Sequence, residues 1–133
     1  MKLRAVVSLV VVVSLSVDAV TPVTPHLAPE SRRDLEKRLA AIAFPETAGS
    51  SVFIALGQAL GMKPTKTTYR YEQRYAHLPV IDVDVVPTTE QCADVVLAAK
   101  FRPQVKYGPV RIRGRYCLTG LGQWTATSQE VTQ

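Results

Sequence analysis

Three side chains within one short stretch have the types and spacing for proton-transfer or cation chemistry. Asp82 and Asp84 alternate with Val83, and His77 lies just upstream. On an extended strand, carboxylates two residues apart share a face at a separation of about 7 Å. Such a pair can hold a divalent cation or divide acid and base roles. With His77 it forms the set that a small exported hydrolase would use. The same carboxylates equally suit a solvated strand face that pairs with Arg70 and Arg74. Neither His77 nor His26 has a Cys, Asp or Glu at metal-ligand spacing in its own segment. No Ser stands in a Gly-x-Ser-x-Gly context. The sequence therefore implies no metal and no cofactor, and favours a non-catalytic protein.

A second group could bind rather than react. Lys106, Arg111, Arg113 and Arg115 form the densest basic region, with Tyr107 and Tyr116 interleaved and Lys100 and Arg102 upstream. A basic strip of this kind grips phosphate, sulfate or carboxylate groups, and aromatic neighbours can stack on bases or sugars. The competing reading is that it pairs with the acidic strand and keeps an edge soluble. Gln104-Val105-Lys106-Tyr107-Gly108 resembles the Gln-x-Val-x-Gly loop of cystatins, whose fold also lays a helix on an antiparallel sheet. Lys106 replaces the valine of that loop, and the stretch falls near the opposite end of the chain, so protease inhibition is not expected. Gly49-Ser50 with Asp82-x-Asp84 resembles the nucleotidyltransferase pattern, but the separation is far too long and no nucleotide partner is expected.

Cys92 and Cys117 are the only cysteines. In an exported chain an even count implies a bridge. Thr88 and Gln91 have capping-box spacing, and Cys92, Val95, Val96 and Ala99 then recur as one face of a helix. Pro103 ends that pattern. Val110 to Leu118 alternates like a strand and carries Cys117. The expected disulfide thus pins helix to sheet. Strict alternation, however, groups Cys117 with the arginines, away from a buried Cys92. A bulge at Arg113-Gly114-Arg115 would shift the phase and turn Cys117 inward.

The N-terminus sets the compartment. Lys2 and Arg4 precede an apolar run from Ala5 to Val17, and Val17 and Ala19 fit the −3 and −1 positions of a signal-peptidase site. Residues 1–19 read as a signal peptide, which makes the protein secreted or periplasmic. The alternative retains residues 5–17 as an anchor of a membrane-tethered subunit, the one case in which a membrane becomes a partner. The whole chain has 16 basic and 11 acidic side chains, a net charge of +5. Loss of Lys2, Arg4 and Asp18 leaves 14 and 10, a net +4. That modest excess favours solubility and weak attraction to anionic surfaces.

The remaining elements must position these groups. Residues 20–28 form a Pro-rich leader. Pro29 starts a helix whose apolar stripe is Leu35, Leu39 and Ile42, ending by Pro45. Val52 to Leu60 reads as a second, buried helix capped by Gly61. Thr67–Tyr75 and Val80–Val86 alternate and form a hairpin. That hairpin brings Arg70, Glu72 and Arg74 beside Asp82 and Asp84, with Tyr69, Tyr71 and Tyr75 on the other side. Gly120-Leu121-Gly122 turns the chain into a short strand, Gln123–Thr127, and 128–133 is a loose tail. The expected fold is a single α+β domain over residues 29–127. Its order is ααββαββ, with a four-stranded antiparallel sheet and two to three helices on one face. The expected function is a small exported binding protein: a secreted effector, an inhibitor or a periplasmic accessory factor. Its expected partner is another protein or an anionic surface or polyanion, met through the basic strand.

Overall fold

The computed structural model describes residues 26–61, 67–89 and 91–133. The expected signal peptide, its anchor alternative and residues 20–25 of the expected leader lie outside the described residues. The element order is β1 (His26–Leu27), α1 (Pro29–Ala41), α2 (Glu46–Gly61), β2 (Thr67–Tyr71), β3 (Val80–Pro87), β4 (Cys92–Lys100), β5 (Val110–Leu118) and β6 (Gln123–Thr132). Strands β2 to β6 form an antiparallel meander, and β1 adds a two-residue parallel extension beside β6. The domain is α+β with one disulfide, Cys92–Cys117. It has five antiparallel strands and two helices among the described residues.

The fifth strand replaces the helix expected after Thr88. Over Cys92–Lys100 burial alternates, with Ala93, Val95, Leu97 and Ala99 facing the core. The alternation is faint in the sequence because the opposite face carries Val96 and Ala98 as well as Cys92 and Asp94. A short run that is apolar on both sides fits either period. The Thr signal at its start is real but serves a turn. Thr89 Oγ1 accepts hydrogen bonds from the backbone N–H of Gln91 and Cys92 at 3.3 and 3.1 Å. The Thr88 N–H returns to the Cys92 carbonyl at 2.9 Å, closing the β3–β4 hairpin. Local side-chain bonds of this kind compete directly with helix capping.

Both helices form as the sequence suggests. Pro29 opens α1, where its missing N–H removes no helical bond. The helix ends before Pro45, in a Schellman motif. Ala43 takes a left-handed φ of 53°, its N–H reaches Ala40, and the N–H of Phe44 reaches Leu39 at 3.0 Å. α2 is longer than Val52–Leu60 and buries Val52, Ala55, Leu56, Ala59 and Leu60. These residues meet Ile81, Val83, Val85, Val95, Leu97, Val110 and Ile112 from one side of the sheet. Tyr69 and Tyr71 pack against the same core, whereas Tyr75 is exposed in the β2–β3 loop.

Two further expectations are corrected around β5. Burial along Val110–Leu118 alternates without a break, so β5 is straight at Gly114 and Cys117 shares the outer face with Arg111, Arg113 and Arg115. The irregularity lies in β6 instead. Arg115 pairs with Ser128 and Tyr116 with Ala126, which leaves Thr127 as the extra residue. Residues 128–132 are strand rather than a loose tail, since Ser128, Glu130 and Thr132 pair with Arg115, Arg113 and Arg111. The side-chain pattern Ser128–Thr132 has too few apolar groups to announce a strand. Its half-buried Val131 and buried Gln129 are the only core contributors.

Candidate functional site: the open face of the sheet

The helices cover one face of the sheet, so the outer face carries every second residue of each strand. Register fixes the rows. One row reads Arg70, Asp82, Ala98, Arg111 and Thr132, and the next Thr68, Asp84, Val96, Arg113 and Glu130. A third contains Val86, Asp94, Arg115 and Ser128, and the last pairs Cys92, Cys117 and Thr125. Acidic side chains cluster toward β3 and arginines on β5. Between them runs a strip of small apolar side chains, Val96 and Ala98, half-buried within the sheet surface.

Half of these charges are paired across strands, and Asp84 is held by a neutral hydroxyl. Arg70 donates to both oxygens of Asp82 at 2.8 and 3.2 Å. Arg115 does the same to Asp94 at 2.8 and 3.2 Å. Thr68 donates its hydroxyl to Asp84 at 2.8 Å. The Arg115 guanidinium holds the Asp94 carboxyl below the usual carboxylate range, and Asp82 raises Arg70 in return. Arg111 and Arg113 differ. Across β4 they stand opposite Ala98 and Val96, and across β6 opposite Thr132 and Glu130; both are exposed and form no ion pair among the described residues. An open cleft of about 610 Å³ lies over β4–β6, lined by Asp94, Val96, Arg113, Arg115, Ser128 and Glu130 among others.

The structure separates the expected binding residues. Arg111, Arg113 and Arg115 share the outer face, and Lys106 is exposed in the β4–β5 loop. Tyr116 is not interleaved with them. It is fully buried on the helix side, where its hydroxyl donates to Gln129 Oε1 at 2.8 Å. Burial, and then the charge of Asp34, push the Tyr116 phenol well above its ordinary value. Tyr107 turns inward too. It packs edge-on against Phe44 and Phe101 with ring centroids 5.8 and 5.4 Å apart, and donates its hydroxyl to the Ile42 carbonyl. Neither ring is presented for stacking. Arg102 also leaves the basic strip. Its guanidinium donates to the carbonyls of Tyr75, Leu78 and Gln73 at 2.7–3.0 Å and to Glu72 at 3.3 Å. It clasps the β2–β3 loop, so Glu72 answers Arg102 instead of the acidic strand.

The acid–base candidates are placed but not assembled. Asp82 and Asp84 lie on the outer face, engaged by Arg70 and Thr68. His77 is exposed in the β2–β3 loop with its ring 5.9 Å from that of Tyr75. None of the three clefts described for this molecule is lined by His77, Asp82 or Asp84. Among the described residues, no three His, Cys, Asp or Glu side chains gather in a metal-sized group.

Asp94 and the Val96–Ala98 strip are the residues of the face that sequence reasoning missed. Their signal was the alternation Ala93, Val95, Leu97, Ala99, hidden by the apolar outer partners. Compared with family models, with curated proteins and with solved structures, the chain finds no match.

Proposed function

We propose that this chain is a small exported binding protein that engages an anionic partner through the open face of its sheet. One observation carries the reading. Arg111 and Arg113, neighbours on the same side of β5, are exposed and lack ion pairs among the described residues, while an apolar strip lies beside them. A cationic pair next to Val96 and Ala98 suits sulfate, phosphate or carboxylate groups carried on a larger surface. The arginine fork adds bidentate geometry to the charge. Export rests on the pattern of residues 2–19 and agrees with a disulfide, which persists in oxidising compartments.

The test is retention on three immobilised anions: a sulfated polysaccharide, phosphatidylglycerol vesicles and polyglutamate. Retention on at least one is expected, falling with salt. The double variant Arg111→Gln/Arg113→Gln should lower affinity several-fold and reduce the salt slope by about 2. The control Arg33→Gln/Lys37→Gln on α1 removes the same charge and should leave retention nearly unchanged. No retention on any of the three, or equal losses for both double variants, would refute a site on this face.

A further inference from the structure

Glu130 of β6 bears on any anion held by Arg113. The two residues are in register, and both line the cleft of about 610 Å³ over β4–β6. The phase of the ladder makes them close neighbours. The Thr119 N–H bonds the Gln123 carbonyl at 2.8 Å. Cys117–Thr125 and, past the extra residue Thr127, Arg115–Ser128 and Arg113–Glu130 are therefore hydrogen-bonded pairs. Cα atoms in such a pair lie about 5.5 Å apart. That is inside the screening length of about 8 Å at physiological salt, so the field of Glu130 reaches whatever Arg113 binds.

The other charges of the cleft are satisfied. Asp94 and Arg115 hold each other through two hydrogen bonds at 2.8 and 3.2 Å. The Thr127 hydroxyl donates to the Arg115 carbonyl at 3.3 Å. Arg113 and Glu130 are both exposed and have no ion pair, with each other or elsewhere, among the described residues. The cleft thus presents one cation and one carboxylate side by side, with Ser128 adding an exposed hydroxyl. A plain phosphate or sulfate on Arg113 gains from the guanidinium and loses to the carboxylate beside it. An ammonium group on the same ligand turns that loss into a gain.

We propose that this cleft takes an ammonium-bearing anion, a zwitterionic unit in which a short carbon link joins a phosphate or sulfate to an amine. The Arg113 guanidinium donates to the anionic group, and the ammonium donates to the Glu130 carboxylate. This preference rests on the anion-binding reading of the open face and narrows it. Polymers or surfaces that carry amines beside their anions are selected over those that carry anions alone.

The test titrates the full ¹⁵N-labelled protein with O-phosphoethanolamine and with ethyl phosphate, the same phosphate without the amine. Amide shifts at Arg113, Gly114 and Glu130 report binding. Net charge alone favours ethyl phosphate, the more anionic probe, on a protein of net charge +5. The expected result is the reverse, with O-phosphoethanolamine bound several-fold tighter. Glu130→Gln should weaken O-phosphoethanolamine several-fold and strengthen ethyl phosphate. Glu30→Gln, the same charge change on α1, should alter neither. Vesicles of phosphatidylethanolamine separate the sources of this chemistry. Cosedimentation that depends on Glu130 assigns the unit to a lipid headgroup, and binding of the soluble probe alone assigns it to a free or polymer-borne group. Ethyl phosphate binding at least as tightly, or Glu130→Gln strengthening both probes, would overturn the proposal and leave the anion-binding reading standing. So would a protein retained on an immobilised polyanion in which neither probe shifts these amides. No probe binding and no retention would remove both.

Discussion

The ring of Tyr116 lies directly over Gly114, two residues earlier on the same face of β5. A Cβ at position 114 would approach Tyr116 Cε2 at 2.6 Å and its hydroxyl at 2.8 Å. Glycine is therefore required by a neighbouring side chain and not by a kink. The ring in turn fills the space that a side chain at 114 would have occupied, and its hydroxyl reaches Gln129. Gly114→Ala should destabilise the fold by about 1–3 kcal/mol, the usual cost of overpacking. Denaturant unfolding of Gly114→Ala, Tyr116→Leu and the double variant checks this. A double variant no worse than Tyr116→Leu alone is the expected coupling.

Tyr116 also sets an alkaline limit. Its phenol is raised above the ordinary value of 10.0, first by burial and then by Asp34. A group raised in the folded state contributes stability that is complete below its unfolded value and is lost as pH rises above it. Unfolding free energy should hold up to about pH 10 and then fall by up to about 1.4 kcal/mol per pH unit. Chemical denaturation from pH 8 to 11 measures it. Tyr116→Phe should be less stable at neutral pH, since Gln129 loses a buried partner, and should lose the part of the alkaline decline due to this phenol.

The disulfide joins two strands, at a directly opposed pair with Cα atoms 4.0 Å apart. The Leu118 N–H bonds the Gln91 carbonyl beside it, which marks Cys92–Cys117 as a non-hydrogen-bonded pair, the closer of the two kinds. Both sulfurs lie on the outer face. Cys92→Ser/Cys117→Ser should therefore keep the sheet's circular dichroism while losing up to about 3.5 kcal/mol of stability, by the chain-entropy estimate for a loop of this length.

Ala43 carries the left-handed residue of the α1 Schellman motif, where a Cβ is unfavourable. Ala43→Gly should raise unfolding free energy by about 0.5–1 kcal/mol, net of the entropy glycine loses on folding. Thermal unfolding would show it as a higher midpoint.

How far the sequence discloses this molecule depends on which face each segment presents. α1, α2, the β2–β3 hairpin and the Gly120–Gly122 turn carry one-sided patterns, and the structure has each of them, although β2 ends at Tyr71 rather than Tyr75 and leaves Arg74 exposed in the loop. The Arg70–Asp82 pair follows from the same alternation. β4 was illegible because Val96 and Ala98 make its outer side apolar, so its alternation resembled a helical stripe. Helix in place of strand puts Cys92 on the buried side and requires a bulge at Gly114 that the straight strand does not have. The inward turns of Tyr107 and Tyr116 depend on Phe44 and Gln129, partners distant in sequence. So does the clasp of Arg102 on the β2–β3 loop. None of these has a local signature.

The central claim concerns Arg111 and Arg113, and mapping ¹⁵N amide shifts during titration of the full protein with a sulfated tetrasaccharide tests it most directly. Shifts concentrated at Val96, Ala98, Arg111 and Arg113, reversed by salt, are the expected result. Shifts centred on Arg33 and Lys37 of α1, or a spectrum unchanged at saturating ligand, would contradict an anion-binding face on the open sheet.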